Sequence, residues 1–420
     1  MRNMKDSGIE WIGSIPSDWF LHPAKYSFVE SRTKNTDGQI TKALKFFNGN
    51  IIEKENFDAE SDDYVAETIT NYTIVEPDTI MINGLNLNYD LKSRRVGLVK
   101  NKGVITSAYL ALRPDINKIL PNYATYLFKG YEAKMAFHNM GSGIRKTLGF
   151  KEFKNQPVLY PPIKEQLRIV RFLDQQCSII EKTIDRTKSS IEEYKKLMQA
   201  IITRAVTKGV RGERPSRNSG VVWIGEIPEE WTALNFKYVA TVKANLVHPS
   251  DFTDYPQIAP DNIEKGTSRL LNYKTVGEVG IESDNHLFYK GQILYSKIRP
   301  ILNKVIIAPF DGLCSADMYP IETTINKQYL VYMMLSDVFL SQVKLVTEDR
   351  VKMPKINQEE LGQIKICLPP EDEQVEIVKY LNSKITSINH LMESKEKFLA
   401  ELESYKRSMI YEYVTGKKEA

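Results

Sequence analysis

The chain has 420 residues, more than one ordinary hydrophobic core holds, and this length predicts two domains with connecting helices. Apolar and charged fractions of 42% and 26% exclude a disordered or fibrous protein, and a net charge of +4 permits a nucleic-acid partner without requiring one. Three widely spaced cysteines and five histidines exclude a disulfide framework and argue against a structural zinc site, and no apolar run approaches the roughly 18 residues of a membrane span. We therefore expect a cytoplasmic protein that binds no metal itself.

The first recognisable element repeats later in the chain. W-I-G-S-I-P-S-D-W at residues 11–19 returns as W-I-G-E-I-P-E-E-W at 223–231, an offset of 212 residues. P-P-I-K-E-Q at 161–166 returns as P-P-E-D-E-Q at 369–374, and A-V-T at 205–207 returns as Y-V-T at 413–415, both at an offset of 208. Three blocks repeated in the same order indicate an internal duplication.

Between these blocks each copy has the pattern of a mixed α/β domain. Runs rich in β-branched and aromatic residues predict three strands in each copy, and an amphipathic helix follows them. The predicted strands are residues 78–83, 95–100 and 104–113, then 292–298, 304–309 and 313–321; the predicted helices are 122–138 and 327–346. All four tryptophans lie in the two W-I-G segments, so we expect them to fasten each domain to a helix end, because they recur while the interiors diverge.

Each Pro-Pro pair predicts the start of a long helix, because proline fits the first helical turn. After each pair, apolar residues recur at alternating intervals of four and three positions, which is typical of a coiled coil. The seam positions are Leu173, Cys177, Ile180, Ile184, Thr187, Ile191, Tyr194, Met198, Ile201 and Ala205, then Leu381, Ile385, Ile388, Met392, Lys395, Leu399, Leu402, Lys406, Met409 and Tyr413. A parallel pair would force the second domain to span a helix of roughly 60 Å, so we predict an antiparallel pair with pseudo-twofold symmetry.

These ordered motifs resemble the specificity (S) subunits of type I restriction–modification enzymes, and the resemblance covers essentially the whole chain. It implies two target-recognition domains, each reading one half of a bipartite, asymmetric site in double-stranded DNA. It also implies that the two helices set the gap between the halves and dock two methyltransferase (M) subunits, which restriction (R) subunits join. The chain itself would be non-catalytic and bind no cofactor, with S-adenosylmethionine, ATP and Mg²⁺ on the partner subunits.

The expected fold is therefore two globular α/β domains separated by a long antiparallel two-helix coiled coil. Its boundaries are a first target-recognition domain at 1–160, a spacer helix at 161–209, a linker with the repeated W-I-G segment at 210–231, a second target-recognition domain at 232–368 and a second spacer helix at 369–416.

Polar and basic residues in the domain interiors are the candidate DNA contacts. Lysine and arginine would position the protein on phosphates, and a bidentate arginine or asparagine would specify a base. The alternative for any one of them is a charged surface kept for solubility. The candidates are Asn83, Lys92, Arg94, Arg95, Ser142, Arg145, Lys146, Lys297, Arg299, Lys304, Arg350 and Lys352.

Several catalytic motifs are incomplete. G-S-G-I-R-K-T at 141–147 places Arg145 where a phosphate-binding loop needs glycine, which leaves a DNA-contacting loop or an ordinary solvated one. The Pro-Pro pairs lack the flanking amide and aromatic residue with which a methyltransferase grips adenine.

Two rival interpretations remain open from the sequence. Asp115, Glu132 and Lys134 match the outline of a metal-dependent nuclease, although Glu132 and Lys134 fall on a predicted helix rather than a strand. The other rival is a coiled-coil interaction protein that binds no nucleic acid.

Overall fold

The structure is a computed structural model that describes residues 2–55, 68–89, 94–143, 146–350 and 354–420. The chain forms two compact units. Unit 1 comprises Met1–Thr187 and Glu396–Ala420, and unit 2 comprises Lys188–Lys395. Each unit therefore contains one globular part and portions of both long helices.

A four-stranded antiparallel sheet forms the centre of unit 1, in the order Phe28–Glu30, Leu110–Pro114, Ile80–Ile82 and Val96–Leu98. Successive side chains of a strand point to opposite faces. Ile80 and Ile82 accordingly enter the main core, whereas Met81 packs in a smaller cluster on the other face.

Unit 2 repeats this sheet in the same strand order, with Ala240–Val242, Met318–Thr323, Ile293–Ser296 and Val305–Ile307. It adds a five-stranded sheet in which Pro256–Ile258 and Gly312–Cys314 run parallel. The duplication read from the sequence is therefore confirmed in the central sheets, while the peripheral strands differ.

The remaining elements are short. Unit 1 also has strands Met4–Asp6, Ser14–Pro16, Phe20–Pro23, Leu44–Phe47, Asn50–Glu53, Thr73–Val75, Gly103–Ile105 and Pro157–Tyr160, and helices Pro121–Ala133 and Phe150–Phe153. Unit 2 also has strands Ser216–Asn218, Glu226–Pro228, Thr232–Asn235, Leu246–Val247, Lys274–Thr275, Asn285–Phe288 and Lys365–Leu368, and helices Val276–Val279, Lys327–Leu335, Asp337–Thr347 and Gln358–Gln363.

The helix predicted over residues 327–346 is broken at Ser336. The Ser336 hydroxyl accepts a hydrogen bond from the Phe339 N–H and so caps a new helix. The break lets the Asp337 N–H donate to the Thr203 hydroxyl on the first long helix at 2.9 Å. The helix predicted over residues 122–138 likewise ends early, at Ala133, and a 3₁₀ turn follows.

The two long helices are Ile163–Lys208 and Glu371–Val414, each starting directly after its Pro-Pro pair. In unit 1, Phe172 stacks on Tyr413 with ring centroids 4.3 Å apart, and Glu181 pairs with Lys406. Rising numbers on one helix thus meet falling numbers on the other, so the helices are antiparallel there. Unit 2 shows the same direction, because Lys395 lies over the Tyr194 ring while Arg211, just past the first helix, bonds Asp372.

A buried carboxylate at each helix start holds the W-I-G segment. The second tryptophan of each segment donates its indole N–H to this carboxylate, Trp19 to Glu165 at 3.0 Å and Trp231 to Glu373 at 2.9 Å. A guanidinium also pairs with each carboxylate and lies 5.5 Å from the same indole: Arg2 in unit 1 and Arg214 in unit 2. The tryptophans at 19 and 231 therefore fasten each domain to a helix end.

The glutamine that follows each carboxylate fastens a second point. Gln166 accepts a hydrogen bond from the Leu120 N–H at 2.8 Å, and Gln374 accepts one from the Asn326 N–H at 2.9 Å. The two N–H donors lie at the start of helix Pro121–Ala133 and of helix Lys327–Leu335, so each domain helix is held by the glutamine of the E-Q dipeptide on a long helix.

Among the described residues, no single helix is long and apolar enough to cross a membrane. The bent pair Lys327–Leu335 and Asp337–Thr347 together pass that test by length and composition, but their apolar side chains are largely buried in the core of unit 2.

Candidate nucleic-acid interface

Two loops predicted to contact DNA lie side by side in unit 1. The loop that follows strand Ile80–Ile82 and the loop before helix Phe150–Phe153 share main-chain hydrogen bonds, from Leu87 to Lys146 at 3.1 Å and from Leu148 to Gly84 at 2.9 Å. The approach is so close that a Cβ added at Gly84 would clash with the Leu148 carbonyl. This pair of loops is called the first loop edge.

Unit 2 brings the corresponding segments together. The loop after strand Ile293–Ser296 bonds to the segment before helix Gln358–Gln363, since the Arg299 N–H donates to Pro354 at 2.8 Å and the Ile356 N–H donates to Lys297 at 2.9 Å. This pair is called the second loop edge. The same two connections of the repeated sheet therefore meet in both units, although their sequences differ.

On the first loop edge, Ser142 and Lys146 are exposed, and Asn83 is partly exposed. Ser142 donates its hydroxyl to Glu152 at 3.0 Å, and hydrogen bonds from the backbone and from this hydroxyl lower the pKa of Glu152. Asn83 accepts a bond from the Leu85 N–H at 3.2 Å. Lys146 has a left-handed backbone, with φ of 41°.

Arg95 does not reach the surface, which corrects its prediction as a DNA contact. The residue is 1% exposed, and its guanidinium donates to the carbonyl oxygens of Asn83 at 3.0 Å and Leu85 at 2.8 Å. Its peptide N–H also donates to Glu132. Arg95 therefore holds the Asn-rich loop, residues 83–89, in place through hydrogen bonds from its buried guanidinium.

Arg94 is half-exposed and turns towards the second long helix, where it pairs with Glu403 at 3.4 Å. It lines a cavity between the globular part of unit 1 and its two helix segments.

On the second loop edge, Arg299 is exposed. Its backbone is left-handed, with φ of 44°, at the start of the 3₁₀ turn Pro300–Leu302. The Lys297 ammonium lies 5.3 Å from the ring centroid of Tyr319. Burial, and to a smaller extent the Lys297 charge, lowers the pKa of His286.

Two further cations of unit 2 have partners within the protein. The Lys304 ammonium donates to the Pro260 carbonyl at 2.7 Å and lies 3.4 Å from Asp261, so it faces inward. Arg350 forms an ion pair with Glu360 that raises the pKa of the guanidinium, and its side chain is partly exposed. Lys92, Arg145 and Lys352 lie outside the described residues.

Sequence reasoning missed Tyr89 and Asn86 on the first loop edge. Tyr89 is 73% exposed, and Asn86 adopts a left-handed backbone with φ of 53°. The available signal was the run N-G-L-N-L-N-Y at 83–89, because asparagine tolerates the left-handed conformation that a tight loop requires.

The three residues of the nuclease interpretation have separate partners. Asp115 bonds the Asn117 N–H and Lys118, which together lower its pKa. Glu132 lies largely buried on helix Pro121–Ala133, where burial raises its pKa to about 7 against the opposing effects of Arg95, Lys129 and Arg94. Lys134 lies 4.5 Å from the ring centroid of Tyr411. Within the described ranges, no group of three or more His, Cys, Asp or Glu side chains could hold a metal ion.

Comparison with known proteins identifies the family. The model of the type I restriction modification DNA specificity domain matches twice, over residues 20–193 and 228–401. The EcoDI specificity subunit of Escherichia coli is 31% identical over 333 residues, which are 72% of this chain and 74% of that protein. The MjaVIII specificity subunit of Methanocaldococcus jannaschii is 27% identical over 83% of this chain and 81% of its own length.

One solved structure shares the fold along the chain. It comes from a study of complex assembly and conformational transition of the type I restriction–modification system, and it superposes with a TM-score of 0.68 over 96% of this chain and 99% of that one, at 13% identity. The chain therefore belongs to the family of type I restriction enzyme specificity subunits, the non-catalytic subunits that recognise DNA sequence through two target-recognition domains.

Proposed function

We propose that the chain reads a bipartite, asymmetric DNA site, with one half-site bound at each loop edge. The observation that carries this proposal is the recurrence of the loop edge on the same strands of the repeated sheet, with different side chains in each copy. Two domains that recognise different half-sites need the same sheet to support their loops but different side chains on those loops. The target-recognition domains would be residues 1–160 and 232–368, and the helices 161–209 and 369–416 would set the gap between half-sites.

The proposed contacts of the first edge are Ser142 and Lys146, with Asn83 nearby and Tyr89 added from its exposure. Those of the second edge are Arg299 and Lys297. Lysine would bind phosphate, while a bidentate arginine could read guanine in the major groove. Lys92, Arg145 and Lys352 remain proposed contacts on the basis of the sequence alone. For Arg350 to contact DNA, its ion pair with Glu360 would have to break.

Arg95 and Lys304 are left out of the proposed contact set because main-chain carbonyls already satisfy their cationic groups. Arg94 is assigned to the long helix rather than to DNA because it pairs with Glu403.

We propose that two methyltransferase subunits dock on this chain and that restriction subunits join the complex in the cytoplasm. The support is that the relatives are named as specificity subunits of restriction enzymes, and a specificity subunit acts only through partners that carry out the reaction. S-adenosylmethionine, ATP and Mg²⁺ would then bind to those partners. The test is co-purification with the candidate methyltransferase, followed by mapping of methylated adenines at single-base resolution.

A two-part motif with a fixed gap is the expected result. Deleting one heptad from both long helices should change the gap and leave both half-sites unchanged. A changed half-site would refute the role of the helices as spacers.

The role of the second edge is tested with Arg299→Ala in the reconstituted complex. A base contact should cost about 1–3 kcal/mol and relax one half-site only. Lys290→Ala is the matched control, because Lys290 is an exposed cation before strand Ile293–Ser296 whereas Arg299 follows that strand. Equal DNA affinity of both variants and the parent would remove Arg299 from the interface.

A further inference from the structure

Unit 1 contains a charged cavity at a place where the matching side chains of unit 2 are apolar and buried. The cavity has a volume of about 470 Å³ and lies between helix Pro121–Ala133 and the two long-helix segments of the same unit. Its charged lining consists of Arg94, Lys129, Glu132, Glu181, Glu403, Lys406 and Arg407, with His138 beside them.

The internal duplication supplies the comparison. Within the domains, Tyr126 aligns with Tyr332 at an offset of 206 residues. The same offset aligns Lys129 with Leu335 and Glu132 with Val338. In the long helices the offset is 208 residues, which aligns Lys406 with Met198. Leu335, Val338 and Met198 are buried together in the core of unit 2. Three positions that are apolar and buried in unit 2 are therefore charged in unit 1, where they line a cavity.

Four cationic side chains line this cavity, but only three carboxylates do. The carboxylate of Glu181 pairs with Lys406, and that of Glu403 pairs with Arg94. Glu132 is turned to the Arg95 peptide N–H. Within the described part of the chain, Lys129 has no hydrogen bond or ion pair, and its ammonium lies 5.9 Å from the ring centroid of Tyr126.

Burial and the neighbouring Lys406 charge lower the pKa of Lys129, although the charges of Glu181 and Glu132 act in the opposite direction. A largely buried ammonium that makes no ion pair is costly. An anion in the cavity would remove this cost. Guanidinium groups such as those of Arg94 and Arg407 match the two-oxygen geometry of phosphate and carboxylate. The volume falls in the range of about 300–1,000 Å³ that is usual for small-molecule sites.

We propose that this cavity binds a small anion bearing phosphate or carboxylate groups, with Lys129 as its central cation. The site is distinct from the two loop edges, and it does not depend on their role in reading DNA. A bound anion would join the first target-recognition domain to the helix pair at a position where the second domain relies on apolar packing.

The test measures binding of inorganic phosphate and of succinate to the full-length chain by isothermal titration calorimetry. We expect one site per chain, and the anion that binds more tightly identifies the ligand class. Lys129→Leu, which installs the residue of the second repeat, should weaken binding at least 10-fold. Lys134→Leu is the matched control on the same helix end, since Lys134 is exposed and does not line the cavity.

Two measurements keep the proposal falsifiable. Thermal unfolding of Lys129→Leu should show a folded protein at least as stable as the parent, because Leu335 packs well at the matching position. Lys146→Ala and Arg299→Ala should retain the anion site, which separates it from the DNA-contacting edges. Absence of binding by both anions, or binding that survives Lys129→Leu, would mean that the cavity holds only solvent and would overturn the proposal.

Discussion

Replacing Glu373 with glutamine tests whether the buried carboxylate at the helix start holds the second domain. Glu373 is 0% exposed and accepts hydrogen bonds from the Trp231 indole and from both terminal nitrogens of Arg214. Glutamine has nearly the same shape but removes the negative charge, and its NH₂ group would face N–H donors. The mutation therefore isolates the electrostatic part of the contact.

The size of the effect follows from the surroundings of Arg214. Removing one partner of a buried ion pair costs about 3–5 kcal/mol. Here Arg214 is 16% exposed at its side chain and has Glu230 at 3.7 Å as a second partner, so we expect roughly 2–4 kcal/mol. For a unit of this size, such a loss corresponds to a drop of roughly 4–16 °C in the unfolding temperature.

The assay is calorimetric unfolding combined with hydrogen exchange, which assigns the loss to unit 2. Glu371→Gln is the control, because it makes the same charge change at an exposed position in the same helical turn. Glu165→Gln should act on unit 1 and cost less, because Arg2 keeps Asp18 at 3.0 Å. A loss below about 0.5 kcal/mol for Glu373→Gln, the usual range for surface substitutions, would refute the anchoring role.

Three further substitutions have defined outcomes. Burial raises the pKa of Glu132 from 4.5 to about 7, so the folded state binds the proton more tightly than the unfolded state does. This proton adds to the free energy of unfolding below about pH 4.5, and the contribution is lost as the pH rises through 7. Glu132→Gln should remove this dependence, which amounts to up to about 3 kcal/mol, in urea unfolding measured from pH 4.5 to 8. Ser336→Ala removes the cap on the Phe339 N–H and should lower stability by about 1 kcal/mol, measured in the same way. Arg95→Met leaves the Asn83 carbonyl without its donor and should cost about 2 kcal/mol while hydrogen exchange accelerates in the Asn-rich loop.

Each of these three predictions has a contradicting outcome. An unchanged pH profile in the glutamine variant would show that Glu132 does not titrate between pH 4.5 and 8. Parental stability of the alanine variant would show that the helix break at residue 336 does not need its cap. Slow exchange of the loop in the methionine variant would mean that Arg95 is not what holds it.

The sequence was most informative where periodicity and repetition coincide. Both long helices begin directly after the Pro-Pro pairs, and most predicted seam positions, such as Leu173 and Leu381, are buried. The central strands have the same order in both units because the two copies arose by duplication and keep the same strand pairing. These features depend on local pattern, which a single sequence contains.

Features that depend on distant partners could not be predicted. Arg95 looks like a surface cation until the carbonyl groups of Asn83 and Leu85 are seen around it. Ser336 lies inside an unbroken apolar run, and only the docking of Asp337 on Thr203 shows why the helix ends there. The contact between the two loops of each edge joins segments more than 50 residues apart, and no local signal indicates it.

A tandem duplication carries a risk of misfolding, since each long helix could pair with a copy of itself from another chain. The ion pair between Glu181 and Lys406 acts against that error. By the offset of 208, self-pairing of the first helix would set Glu181 against Met198, and self-pairing of the second would set Lys406 against Asn389. Lys406 is only 16% exposed, so losing its carboxylate would be costly, and the divergence of the two copies favours correct pairing within one chain.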